Sequence, residues 1–143
     1  MTRVSFHFNV PQRLVYACRL LRKATRQNAR VTVTGEARAL DELDRALWSF
    51  EPTEFIPHVR LHEGETLSER LRETPVCLTV DPARAPHHGV LVNLGLEPPA
   101  GFESFERLIE IVSTDEADRT AARARWKHYA ARGYEIEKHE VEA

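Results

Sequence analysis

The sequence predicts a single α/β domain, residues 1–143, with a mostly parallel β-sheet flanked by helices. Three observations support this fold class. Strand-like and helix-like segments alternate over residues 4–50, the order found where helices connect parallel strands. Later strand-like segments are short apolar runs, typical of strands covered on both faces. A length of 143 residues, 42% hydrophobic and 29% charged, suits one globular domain with one core.

Two strand–helix units occupy the first third of the chain. Residues 4–8 (VSFHF) alternate between apolar and polar side chains, and residues 30–34 (RVTVT) form a β-branched second strand. Between them, Pro11 suits the first turn of a helix. The inner positions of that helix recur at helical spacing and are Leu14, Cys18, Leu21 and Thr25. A second helix over residues 37–50 has an apolar stripe of Leu40, Leu43, Leu47 and Phe50.

The rest of the chain continues the alternation after an irregular segment. Prolines interrupt residues 52–58 and end the second helix, and the polar residues 62–74 predict a loop with a short helix around 67–71. The remaining strands are predicted at 76–80, 90–94 and 108–112, with a final edge strand at 134–137. The last helix spans residues 115–132 and is followed by Gly133.

Composition excludes several classes of function. A net charge of −2 provides no overall positive field, which disfavours direct tight binding to DNA. No apolar run approaches the roughly 18 residues of a membrane-spanning helix, and the N-terminus lacks a signal-peptide pattern. We therefore expect a cytoplasmic protein without a membrane partner. Cys18 and Cys77 lie in apolar segments and are expected to be buried thiols, or less often a disulfide.

Signatures of cofactor, metal and nucleophilic chemistry are missing. The first two strands are followed by NVPQR and GEAR, neither of which is a phosphate-binding glycine loop. His58 and His62 are four residues apart in a segment expected to be extended, where they would not share a face as on a helix, and no HExxH occurs. Both cysteines sit among apolar residues, which disfavours a reactive thiolate. We predict no catalytic residues, no metal site and no cofactor.

The last helix carries the first candidate binding surface. At about 100° per residue, four large side chains fall on one side, namely Arg119, Arg123, Trp126 and Lys127. Ala117, Ala121 and Ala124 fall on the far side, which we expect to pack on the sheet. Cations beside an aromatic ring suit an acidic peptide with an apolar end. The alternative is a solvated charged face with Trp126 as a core anchor.

The second candidate surface is a dense apolar cluster around the prolines. It comprises Trp48, Phe50, Phe55, Ile56 and Pro57. Exposed aromatic segments of this kind mark protein–protein interfaces, so one interpretation is a partner-binding patch. The other is a loop that covers the core. The sequence pattern leaves both open.

Three segments resemble the chi subunit family of the bacterial DNA polymerase III holoenzyme. They are LDELDRALWSFEPTEFIPH at residues 40–58, the GVLVNL strand, and RARWKHYAARGYEIE at residues 123–137. The resemblance implies a Rossmann-like sheet that lacks the nucleotide-binding glycine loop. It also implies a non-catalytic adaptor of the clamp-loader assembly in DNA replication, which meets DNA only indirectly. One family surface binds the acidic C-terminal tail of single-stranded DNA-binding protein, an Asp-rich run that ends in Ile-Pro-Phe.

The resemblance also implies which residues bind each partner. Positions that match the tail site are Val112, Arg119, Arg123, Trp126, Lys127, Gly133 and Tyr134. Positions that match the site for the psi subunit, or for a helicase related to the XPD family, are Trp48, Phe55, Ile56, Pro57 and His58. The psi subunit would connect the chain to the clamp loader. Trp126 stands where the family usually has Tyr, and Arg119 where Lys is common, and both replacements keep the chemistry.

Two other readings compete with this adaptor. The sheet could belong to a small nucleotide- or metal-dependent enzyme, which would require an ordered cofactor or a convergent cluster of histidines and carboxylates. Alternatively, the chain could be a structural protein that stabilises one partner through the Trp48 segment alone.

Overall fold

A computed structural model describes residues 1–50 and 54–141, and it shows these residues folded around one parallel sheet. The described strands are β1 (Arg3–Val10), β2 (Val31–Thr34), β3 (His58–Leu61), β4 (Val76–Thr79), β5 (Val90–Asn93), β6 (Arg107–Ser113) and β7 (Ile136–Glu140). The described α-helices are α1 (Arg13–Arg26), α2 (Ala37–Ser49), α3 (Glu69–Arg72) and α4 (Glu116–Ala131). Short 3₁₀ turns occur at Pro82–Arg84 and Phe102–Ser104.

The predicted α/β fold class is confirmed. The strands lie in the order β3-β4-β2-β5-β6-β1-β7, and each neighbouring pair among the described strands is parallel. Parallel neighbours need crossover connections, which explains why helices separate most strands along the chain. No helix within the described ranges is long and apolar enough to cross a membrane.

Three differences from the prediction stand out. Strand β3 forms the edge beside β4 and was not predicted, because Arg60 interrupts its short apolar pattern. Strand β7 lies two to three residues further along the chain than expected. Helix α1 begins at Arg13, so Pro11 precedes the helix. Residues 51–53, which belong to the proline-rich segment, lie outside the described residues.

The sheet has a hydrophobic core on each face. On one face α1 and α2 pack against side chains that include Val33, Ile109 and Ile111. On the other face α4 packs against side chains that include Val4, Leu108 and Val112. Alternate residues of β6 thus serve opposite cores, as the two-residue period of a strand requires.

The two cysteines are buried thiols and form no disulfide, as expected for the first of the two alternatives. Cys18 lies on the buried face of α1, and Cys77 lies in β4. Burial in apolar surroundings raises the pKa of each thiol to about 11. Both thiols therefore stay protonated at neutral pH.

The packed face of α4 is not the alanine face that the sequence predicted. Ala117 and Ala124 are exposed, and Ala121 is only partly buried. The helix instead buries four residues at helical spacing, namely Asp118, Ala122, Arg125 and Tyr129. The prediction was wrong because three of these four are polar and each is placed against a specific polar partner, which hydrophobic periodicity does not show.

A buried polar network centred on Glu110 of β6 attaches α4 to the sheet. Glu110 is fully buried and accepts hydrogen bonds from Arg125 Nε at 3.0 Å, from Asn93 Nδ2 at 3.0 Å and from the Tyr129 hydroxyl at 2.5 Å. Burial raises the pKa of Glu110, while the nearby Arg125 charge and the three hydrogen bonds act in the opposite direction. The network holds the outer face of α4 in a defined position over β1 and β6.

Candidate functional site

A cavity of about 610 Å³ lies between α4 and β7, above β1 and β6. We call it the α4–β7 pocket. Its floor is apolar and consists of Phe6, Phe8, Val112 and Ala122. Its helix wall consists of Arg119, Arg123, Trp126 and Lys127, and its strand wall consists of Lys138 and Glu140. Asn9 and Ser113 lie at the rim.

Local periodicity explains how these side chains meet. Phe6 and Phe8 are two residues apart in β1, so both point to the face covered by α4. The parallel register pairs Phe6 with Lys138 and Phe8 with Glu140, which places both strand-wall residues beside the floor. Helix-wall residues recur every three or four positions of α4 and so share one side of the helix.

Two aromatic rings pack together at one end of the pocket. The rings of Phe6 and Trp126 lie 5.0 Å apart at an interplanar angle of 52°. The ammonium group of Lys138 lies 5.5 Å from the centre of the Trp126 ring, within cation–π range. An apolar side chain that lay against this pair of rings would contact aromatic carbon next to a cation.

The pocket is predominantly cationic. Four of its lining residues are Arg or Lys and one is a carboxylate, Glu140. Arg123 donates hydrogen bonds from one Nη to Glu116 Oε1 and to Thr120 Oγ1, both at 3.1 Å. The side chains of Arg123 and Glu116 are 58% and 74% exposed, so solvent weakens their pair and a ligand carboxylate can replace it. Within the described ranges, no carboxylate lies at ion-pair distance from Arg119 or Lys127.

Five of the seven residues expected at the tail site line this pocket, and two do not. The five are Val112, Arg119, Arg123, Trp126 and Lys127. Gly133 instead ends α4 in the left-handed conformation, with φ of 81°. Tyr134 packs its ring 5.3 Å from Phe102 and 6.5 Å from Tyr129, at the opposite end of the helix. Neither residue belongs to the lining of the pocket.

Sequence reasoning missed the strand wall and all of the floor except Val112. Phe6 and Phe8 were recognised as strand residues, but their strand was not known to lie under α4. Lys138 and Glu140 sit in a polar segment, EIEKHE, whose alternation is the one signal that could have placed both side chains on one face. Only the pairing of β7 with β1 brings them to the pocket.

The second candidate surface divides into an exposed part and a buried part. Trp48 and Phe55 are 62% and 60% exposed, and their rings stack 5.3 Å apart. Ile56 is 1% exposed and belongs to the core under α1 and α2. Pro57 is half-buried. Ile56 therefore covers the core, while Trp48 and Phe55 are exposed and stay a candidate partner surface.

His58 packs against the exposed rings of Trp48 and Phe55 from the protein interior. Its side chain is buried, its Nδ1 lies 2.7 Å from the Ile56 carbonyl oxygen, and its Nε2 lies 3.1 Å from Asp44 Oδ1. The Trp48 ring meets the imidazole edge-on, with centres 4.8 Å apart. These contacts fix the orientation of Trp48 on the end of α2, so His58 is inaccessible as a direct contact for a partner.

The crevice where a sheet of this kind would hold a nucleotide is lined by side chains that do not favour a phosphate group. It lies between the carboxyl ends of β2 and β5, where the connections diverge, and its volume is about 430 Å³. Glu36 and Glu97 line it and would repel a phosphate. A Cβ on Gly35 would lie 3.2 Å from the Leu94 Cβ, so this glycine lets two protein segments approach each other. Among residues 1–50 and 54–141, no three His, Cys, Asp or Glu residues converge as metal ligands.

Comparison with known proteins gives a consistent result over nearly the whole chain. Residues 1–137 match the family model described as DNA polymerase III chi subunit, HolC. The DNA polymerase III subunit chi of Pseudomonas aeruginosa is 37% identical over 99% of this chain and 98% of its own length. The protein of the same name from Haemophilus influenzae is 30% identical over 84% of this chain and 81% of its own length. The resemblance seen in three short segments is thereby confirmed, and the chain belongs to the DNA polymerase III chi subunit family.

Proposed function

We propose that this protein is a non-catalytic accessory subunit of DNA polymerase III that connects single-stranded DNA-binding protein to the clamp loader. The α4–β7 pocket would bind the acidic C-terminal tail of single-stranded DNA-binding protein. The surface around Trp48 would bind the psi subunit, or a helicase related to the XPD family. Two moderate contacts on one assembly would then reinforce each other through a high effective concentration.

The observation that carries this proposal is the combination of an apolar floor with a cationic helix wall. Arg119 and Arg123 lie on successive turns of α4, so they can meet successive carboxylates of an extended acidic peptide. The aromatic surface formed by Phe6 and Trp126 suits the terminal phenylalanine of the tail. A catalytic function would require a cluster of reactive groups, and the pocket contains cations and aromatic rings instead.

Tryptophan fluorescence provides a direct test. The sequence has two tryptophans, and replacement of Trp48 by phenylalanine leaves Trp126 in the pocket as the single reporter. We expect saturable binding of an Asp-rich peptide ending in Ile-Pro-Phe. We also expect binding to weaken as salt rises from 50 to 500 mM, since screening reduces attraction between exposed charges.

Reversal of one charge should remove the interaction without unfolding the domain. Because Arg123 is exposed and its partners are local, Arg123→Glu should lower peptide affinity at least about tenfold while the circular dichroism spectrum stays unchanged. Arg19→Glu on the exposed side of α1, remote from the pocket, is the matched control and should bind normally. Equal affinity of Arg123→Glu and the parent protein would exclude this pocket as the tail site.

A further inference from the structure

The strand wall of the α4–β7 pocket carries opposite charges two residues apart. Lys138 lies beside Phe6 and Glu140 lies beside Phe8, and both side chains leave β7 on the side of the pocket. Helix α4 begins at the carboxyl end of β6 and leads back to the start of β7, so it runs opposite to the strands. The pocket therefore has two chemically different ends.

The end at Phe6 combines an aromatic surface with a cation. Trp126 packs against Phe6, and the Lys138 ammonium lies 5.5 Å from the centre of the Trp126 ring. A C-terminal residue presents an apolar side chain and an α-carboxylate from the same Cα, so it can contact the aromatic surface and the ammonium together. An internal residue of a peptide has no carboxylate at that position. This end therefore fits a free C-terminus.

The end at Phe8 separates charge between the two walls. Arg119 lies in the N-terminal part of α4, which is nearest to the carboxyl ends of β1 and β7, and Glu140 lies on the opposite wall at that end. Carboxylates that precede the peptide terminus would be attracted by the helix wall and repelled by Glu140. The acidic part of a ligand should consequently run along α4 and away from β7.

We propose that Lys138 binds the terminal carboxylate of the docked peptide and that Glu140 keeps its acidic residues on the helix wall. Together the two side chains select the orientation of the peptide and its free C-terminus. This inference rests on the proposed function of the pocket, and it adds two residues of β7 to the binding surface. A long-chain lysine over an aromatic ring can keep its cation–π contact while it donates a hydrogen bond outward.

The role of Lys138 can be isolated with two forms of one peptide. Isothermal titration would compare Asp-rich peptides that end in Ile-Pro-Phe as the free acid or as the C-terminal amide. Lys138→Met should weaken the free acid about fivefold, the effect of an exposed charge pair of about 1 kcal/mol, and should leave the amide nearly unchanged. Lys23→Met, an exposed lysine of α1, is the control and should change neither. An equal loss for both peptides would overturn the assignment of the carboxylate.

The role of Glu140 predicts a gain in affinity. Glu140→Gln should bind the acidic peptide about threefold more tightly, because it removes one charge that repels the peptide carboxylates. The effect is modest because solvent and salt partly screen this repulsion. The gain should disappear with a peptide whose aspartates are replaced by asparagine. The control is Glu137→Gln, which removes the same charge from β7. Glu137 pairs with Ser5 and points to the opposite face of the sheet, so this variant should give no comparable gain. Unchanged or weaker binding by Glu140→Gln would contradict the inference.

The same titrations separate this inference from the proposed function. If the parent protein does not bind the acidic peptide at low salt, both proposals fail. If the parent binds, Arg123→Glu does not, and the Lys138 and Glu140 variants behave like their controls, the tail site stands and the β7 inference alone fails. Both β7 side chains are exposed, so these variants should fold normally, and their thermal midpoints should match that of the parent.

Discussion

Neighbouring residues in the segment after α2 have opposite roles. Phe55 and Ile56 are adjacent in sequence, yet one is 60% exposed and the other 1% exposed. Their alternation follows from an extended chain that lies over the core, where successive side chains point to opposite sides. Residue type alone does not separate them, because both are large and apolar. Ile56 stabilises the fold, while Phe55 and Trp48 are available to a partner.

At the residue scale we therefore expect stability and partner binding to be separable. Ile56→Ala should lower the free energy of unfolding by about 2 to 4 kcal/mol, since it leaves a cavity in the core. Trp48→Ala should change that free energy by less than about 1 kcal/mol and should abolish capture of the psi subunit. Urea denaturation and a pull-down with purified psi would measure the two effects. A strongly destabilised Trp48→Ala protein would show that the ring belongs to the core.

At the scale of elements, a histidine joins β1, α1 and the edge strand β7. His7 Nδ1 is hydrogen-bonded to the Tyr16 hydroxyl, and the His7 ring lies 4.8 Å from the ring of His139. Burial, together with the nearby His139 and Arg107, lowers the pKa of His7 to about 4. The neutral imidazole is thus the form that fits between these elements.

This lowered pKa predicts a loss of stability in acid. In the unfolded chain His7 has its ordinary pKa near 6.5 and takes up a proton that the folded state rejects until pH is about 4. Its contribution to stability is therefore full above pH 6.5 and declines as pH falls from 6.5 to 4. His7→Gln should flatten this part of the pH profile of the urea midpoint, relative to the parent. Identical profiles would show that His7 does not titrate as described.

At the scale of the whole molecule, the Glu110 network connects the sheet to the helix that forms the binding wall. Arg125 is 1% exposed and bonds both Glu110 and the Leu96 carbonyl oxygen. Removal of a single partner from a buried ion pair leaves an uncompensated charge, whereas replacement of both partners by apolar groups is often tolerated. The position of α4, and with it the geometry of the pocket, depends on this pair.

We expect Arg125→Met to destabilise the protein by about 3 to 5 kcal/mol, because Glu110 then stays buried without a neighbouring cation. The double replacement Glu110→Met with Arg125→Met should recover much of this loss. Urea denaturation of both variants would measure the difference. Equal stability of the single and double variants would indicate that the pair is not coupled, and the double variant keeps the test valid if the single variant does not fold.

Most of the fold was predictable from the sequence, but the α4–β7 pocket was predictable only in part. Apolar runs and helical stripes located every long helix and six of the seven described strands to within a few residues, because the periodicity of burial is a local property. Strand β3 was missed because Arg60 breaks its short apolar pattern and instead pairs with Asp41 Oδ1 at 3.0 Å. The packed face of α4 was misassigned because buried polar partners do not appear in a hydrophobic pattern.

The sequence by itself determined the α/β class, the family and the cationic helix wall, since each depends on residues close together in the chain. Tertiary structure decided the rest of the pocket. Phe6 and Lys138 are more than a hundred residues apart, and they meet because β7 pairs with β1 at the edge of the sheet. It also decided that Gly133 and Tyr134 lie away from the pocket and that Ile56 is core. Long-range strand order brings such residues together, and no local periodicity encodes that order.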